Sequence, residues 1–157
     1  MRKSLAGAAA ALLLVCGSVS AQSDKVVLDF RSMSPVTGPF VGTANPIRGM
    51  GGGGIPWLIN EGRGELRHDG RLDIRVRGLV LATTHANPVA AFRGVVSCQI
   101  IAADGTPGIL NLTTGDFAAT PTGDADIEAM LDLPPRCFAP IIFVTNSAGR
   151  WFAVTGY

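Results

Sequence analysis

Apolar and charged residues alternate strictly from Arg71 to Arg77: Leu72, Ile74 and Val76 fall on one side of an extended chain, and Asp73, Arg75 and Arg77 on the other. A period of two fits a strand with one buried face, because a helix would scatter these residues around its axis. The period returns from Ala125 to Leu133, with Ile127, Ala129, Leu131 and Leu133 on one face and Asp126, Glu128 and Asp132 on the other. Between Phe92 and Ile101, Phe92, Val96, Cys98 and Ile100 share a side, while Arg93, Ser97 and Gln99 share the opposite one. Parity therefore places Leu72, Ile74, Val76, Val96, Cys98, Ile100, Ile127, Ala129 and Leu131 inside, and Arg75, Arg77, Asp126 and Glu128 outside. A one-residue slip of register would invert every assignment.

The punctuation between these segments is that of antiparallel strands. Asp69-Gly70 separates Gly64–Arg67 from Arg71–Arg77, and Asp104-Gly105 turns the chain toward Ile109–Leu112. Asn146–Gly149 links Ile141–Thr145 to Arg150–Thr155, a spacing suited to a hairpin. Val26–Phe30 reads as a first strand, and the strand at Arg71 is expected to run on through Gly78–Leu81. Residues 31–56 hold Pro35, Pro39, Pro46, Pro56 and a run of glycines, so no helical period survives there. That segment is expected to be a surface loop or an extended arm along the sheet. The expected fold is all-β: a single antiparallel β-sandwich, immunoglobulin-like or similar, with a small β-barrel as second choice.

The N-terminus reads as a secretory signal peptide over residues 1–21, expected to be helical. Arg2 and Lys3 precede the uncharged run Leu5–Val15, and Val19-Ser20-Ala21 supplies small residues for cleavage. Val15 before Cys16 fits lipidation poorly. Residues 22–157 remain as one β domain, expected in the periplasm or the extracellular space. Losing Arg2 and Lys3 takes the formal charge from +1 to −1, so neither nucleic acid nor an anionic membrane is an expected partner. No second apolar run of about 20 residues suggests a membrane-spanning helix. The terminal aromatic Tyr157 prompts an outer-membrane barrel, but alternating charges and the long Gly/Pro segment suit a soluble sandwich better. Cys98 and Cys137 remain after cleavage, and in an oxidising compartment the expected state is one disulfide.

Gly49, Gly51 and Gly54 in RGMGGGGIPW formally spell G-x-G-x-x-G. Pro46 precedes the run and Ile55-Pro56-Trp57 follows it, so neither the strand nor the helix of a dinucleotide site is present, and no Lys-Ser/Thr completes a P-loop. These glycines are read as a tightly packed or flexible segment anchored by Trp57. Gly49, Gly51, Gly54 and Trp57 together are the candidate binding loop. His68 lies in the Asp-Gly turn and His85 in a polar connector; with Ser97 and Asp69 they are the raw material of a hydrolase triad, without a sequence motif to unite them. Asp124, Asp126 and Glu128 share a strand face that offers oxygen ligands to Ca²⁺, although a solvated face is the simpler reading. Arg67, Arg71, Arg75 and Arg77 form a basic stripe for an anionic glycan, but Glu65, Asp69 and Asp73 interleave for cross-strand pairing. No catalytic residue, metal site or cofactor is assigned. Asn111-Leu112-Thr113 matches a glycosylation acceptor, discounted because the leader has bacterial character.

The ordered set GGGGIPW, DGRLDIRVRGLVL, NPVAAFRGVVSC, PTGDADIEAMLDLP, CFAPIIFV and WFAVTG resembles a group of small exported bacterial proteins without an assigned activity. The resemblance spans nearly all of residues 22–157 and implies a disulfide-stapled β domain. It brings no catalytic residues. The expected function is a non-enzymatic envelope or extracellular domain that binds a protein partner or a glycan; the alternative is a small secreted hydrolase assembled from distant residues.

Overall fold

The computed structural model describes residues 25–155, so the expected signal peptide and Tyr157 lie outside the described residues. The strands run β1 (Val26–Phe30), β2 (Met33–Pro35), β3 (Trp57–Leu58) and β4 (Glu61–Arg67). They continue with β5 (Arg71–Arg77), β6 (Val80–Leu81), β7 (Ala91–Ile101) and β8 (Pro107–Thr113). The last are β9 (Phe117–Ala118), β10 (Ala125–Met130), β11 (Phe138–Thr145) and β12 (Trp151–Thr155). A first sheet has the order β1-β4-β5-β10, and a second the order β2-β12-β11-β7-β8, with β9 pairing farther along β7. The paired strands of both sheets are antiparallel. The sheets pack as a β-sandwich.

Alternation explains the packing. Leu66, Leu72, Ile74, Val76 and Ile127 from the first sheet meet Phe92, Val96, Cys98, Ile142 and Val144 from the second, each at most 2% exposed. Burying each large side chain contributes about 1.5–3 kcal/mol. The sheets approach closely at Gly94, where a Cβ would sit 3.0 Å from the Ile74 side chain and 3.1 Å from that of Leu72. Ile100, Ala129 and Leu131, assigned to the interior by parity, are only half-buried. Arg75, Asp126 and Glu128 are exposed, whereas Arg77 is half-buried because its guanidinium folds onto the carbonyls of Val76 and Ala125.

Three departures from the sequence reading have local causes. Arg71–Arg77 does not continue through Gly78–Leu81: Gly78 takes φ +65°, and Val80–Leu81 pairs instead with Trp57–Leu58. The Gly/Pro segment is not wholly irregular, because Met33–Pro35 pairs with β12. Ser97, expected on an open face with Arg93 and Gln99, is fully buried.

Ser97 is buried because residues 36–54 lie as an arm against the second sheet. Ile47 and Met50 exchange backbone hydrogen bonds around Arg48 (φ +48°) and Gly49 (φ +80°), the signs of a type I′ hairpin turn. From this turn Arg48 donates to the carbonyls of Ser97 (2.7 Å) and Ala139 (2.6 Å). Ala139 and Pro140 together oppose Cys98 in a bulge of β11, where the ladder is interrupted. Gly53 donates to the Trp151 carbonyl, Trp151 to that of Gly51, and the Trp151 indole to that of Met50. Phe40 and Phe143 pack on the Trp151 ring at centroid distances of 6.3 and 6.0 Å. Cys98 and Cys137 form the disulfide, with Cα atoms 4.9 Å apart, and tie the Pro134-Pro135 connector to β7.

Candidate functional site

One face of the second sheet packs on the core and part of the other lies under the arm, while the outer face of the first sheet is a broad solvated surface among the described residues. Its register sets four strands side by side: Asp29 opposes Glu65, Glu65 opposes Asp73, and Asp73 opposes Glu128. Four carboxylates from positions far apart in sequence thus form one row across the sheet. Directly opposed side chains stand about 5 Å apart at Cβ. Two residues along, Arg63 opposes Arg75 and Arg75 opposes Asp126.

These rows line an open groove of about 720 Å³ whose walls include Asp29, Arg31, Glu61, Arg63, Asp73 and Arg75. Its floor is firm. Phe30, Gly64 and Ile74 are cross-strand neighbours, and a Cβ at Gly64 would lie 2.0 Å from the Asp73 carbonyl oxygen and 2.9 Å from the Phe30 ring, so backbone and ring together leave no room for a side chain there. Six lining residues carry carboxylates and three carry guanidinium groups, which makes the groove anionic on balance.

The arginines are largely committed. Arg77 grips Asp126 at 2.8 and 3.0 Å, and Arg75 approaches the same carboxylate at 3.5 Å. Arg63 lies 2.8 Å from Glu61, and Arg67 lies 2.7 Å from Glu65. The basic stripe thus pairs along its own strand or across to β10 rather than within the hairpin alone. Among the described residues, Asp29, Asp73 and Glu128 make no ion pair.

The candidate binding-loop residues and the candidate triad residues do not gather at one place. Gly49 occupies the arm's turn, and Gly51 is enclosed, with a virtual Cβ 2.9 Å from Thr43. Gly54 is open, and Trp57 is 3% exposed, stacked on Phe152 at 3.9 Å. The four do not make one continuous surface. His68 borders a hollow of about 220 Å³ with Val27, Pro134, Pro135 and Phe138. His85 sits in an exposed turn at φ +55°. Among the described residues, neither imidazole is hydrogen-bonded to a serine or a carboxylate. The Ser97 hydroxyl is buried without a hydrogen-bond partner, and Asp69 accepts from the Arg71 amide within its turn.

Asp124, Asp126 and Glu128 also part company. Asp126 is held by arginines, while Asp124 accepts from the Gly78 amide at 2.9 Å and from Thr122 at 2.9 Å. The Gly78 N–H is the largest influence holding the Asp124 carboxyl below the usual carboxylate range. Among the described residues, no group of three or more His, Cys, Asp or Glu side chains is arranged to hold a metal ion.

The acidic row escaped the sequence reading, since Asp29, Glu65, Asp73 and Glu128 become neighbours only through the register of four strands. The sole local signal was the placement of Asp73 and Glu128 on outward parities. No family model, no curated protein and no solved structure matches the chain. No helix among the described residues is long and apolar enough to cross a membrane.

Proposed function

We propose that the protein is an exported, non-catalytic binding domain whose first-sheet groove receives an extended cationic segment of a protein partner. The observation that carries this reading is the row Asp29–Glu65–Asp73–Glu128. Like charges directly opposite destabilise a sheet, by a few tenths of a kcal/mol or more per pair. The neighbouring row, Arg63–Arg75–Asp126, contains both signs, whereas the acidic row has no positive member to offset its three like-charge contacts. A run of lysine or arginine side chains on an extended peptide would relieve the repulsion.

A glycan is the weaker choice. Sugars bind by stacking on exposed rings, yet Trp57 and Trp151 are buried, and the exposed Phe138 belongs to the second sheet. Hydrolysis would need His68 or His85 beside an accessible nucleophile, and among the described residues neither imidazole is hydrogen-bonded to a serine or a carboxylate.

The test is calorimetric titration with a lysine-rich decapeptide and a glutamate-rich control, repeated with the variant Asp29→Asn/Glu65→Gln/Asp73→Asn/Glu128→Gln. Binding of the cationic peptide that weakens with salt and is lost in the variant is expected. Equal binding by the variant, or none by the native protein, would remove this reading.

A further inference from the structure

The second sheet ends in an unprotected edge. We infer that β8 is a self-association site, at which a second copy of the chain pairs antiparallel to form one continuous sheet across a two-fold axis.

The hairpin joining β7 to β8 fixes which backbone groups face outward. Gly105 (φ +84°) donates to the Ala102 carbonyl, and Ala102 donates to that of Thr106. Counting along the antiparallel ladder from that pair, Gly108, Leu110 and Leu112 direct their N–H and C=O groups at β7. The corresponding groups of Ile109, Asn111 and Thr113 point away from it. Thr114 donates to Gly94 at the far end, which agrees with this alternation. Pro107, lacking an N–H, falls on the outward phase, where it costs β7 nothing. Among the described residues, the outward N–H groups have no hydrogen-bond acceptor.

Monomeric proteins blunt such edges with charges, bulges, interior prolines or a covering loop. From Pro107 to Thr113 the edge, PGILNLT, carries no charge, pairs with β7 without a bulge and has its proline only at the first position. Ile109 is 45% exposed, and Ile101 and Phe138 extend an apolar patch beside it at 55% and 48%.

The edge suits its own copy. A two-fold axis normal to the sheet keeps inner face with inner face, so residues of equal parity must meet across it. Centred on Asn111, the axis opposes Ile109 to Thr113 of the second copy and Asn111 to Asn111, so the three outward residues exchange six main-chain hydrogen bonds. The same register opposes Leu110 to Leu112 in both directions on the inner face. With no charge anywhere on the strand, no like-charge contact opposes the pairing. One strand pair with its apolar fringe is small beside the roughly 1,200 Å² of a stable interface, so a reversible, concentration-dependent dimer follows. Both charged grooves would then lie on one side of the joined sheet.

The experiment is sedimentation of the exported chain from about 1 μM to 1 mM, with Asn111→Lys, Asn111→Asp and their equimolar mixture, circular dichroism reporting the fold. The native chain is expected to pass reversibly from monomer to dimer. Each variant alone, carrying like charges across the axis, should shift that transition at least tenfold upward in concentration, and the mixture should restore it. Amide exchange on the native chain gives a second reading without substitution: Ile109, Asn111 and Thr113 should gain protection as concentration rises. A native chain monomeric throughout the range, variants that dimerise like it, or protection elsewhere than β8 would overturn the proposal.

Discussion

Arg48 donates a 2.7 Å hydrogen bond to the carbonyl of Ser97, 49 positions away, and the same guanidinium reaches Ala139 at 2.6 Å. The bond pins the arm to the second sheet where the β11 bulge interrupts the ladder. Hydrogen bonds to charged groups contribute about 1.5–3 kcal/mol. Arg48→Met should therefore lower unfolding free energy by about 2 kcal/mol, read from urea titration. An unchanged midpoint would show that the arm rests on the sheet without this anchor.

The glycine run is structural at some positions and free at others. A Cβ at Gly52 would lie 2.1 Å from the Phe40 carbonyl oxygen and 2.7 Å from Val36, whereas Gly54 has nothing within 4 Å and no positive φ. Gly52→Ala should cost at least about 2 kcal/mol, by forcing backbone to move, and Gly54→Ala less than about 0.5 kcal/mol. Equal effects at the two sites, in thermal melts, would contradict the packing described.

The Cys98–Cys137 bond closes a loop with a sequence separation of 39. Loop-closure entropy assigns it about 4 kcal/mol, a large share of a domain's net stability. Reduction, or Cys98→Ala/Cys137→Ala, should lower Tm by roughly 10 °C or more. A melt insensitive to reductant would place the domain's stability elsewhere.

Asp124 links stability to pH. Its folded carboxyl is held below the ordinary range, chiefly by the Gly78 N–H. A depressed folded value stabilises fully above the unfolded pKa of about 4, and that contribution is lost as pH falls through the folded value. Native protein should lose stability more steeply below about pH 4 than Asp124→Asn. Parallel acid limbs for the two proteins would deny Asp124 this role.

Much of the sandwich was legible because β5, β7 and β10 are long enough to show a period of two. β2, β3, β6 and β9 span two or three residues each, too few for any period, and only tertiary pairing defines them. Ser97 shows the limit of parity: alternation assigns a side, but only the arm's return from residues 36–54 decides that this side is covered. The acidic row has the same character. Asp29 and Glu128 stand 99 positions apart and become members of one row only when β1, β4, β5 and β10 take their register.

That row should also be visible as stored repulsion. Asp73 stands between Glu65 and Glu128. Asp73→Asn should raise stability by roughly 0.3–1 kcal/mol at low ionic strength, with the gain shrinking in 1 M salt. A loss of stability would mean that the carboxylates support the fold.

The most direct measurement is amide chemical-shift mapping of the ¹⁵N-labelled protein titrated with the lysine-rich decapeptide. Shifts concentrated on β1, β4, β5 and β10, around Asp29, Glu65, Asp73 and Glu128, are expected, with β7, β11 and the arm unmoved. Saturable shifts centred on the arm or the second sheet, or none at all, would contradict the assignment of the first-sheet groove as the binding surface.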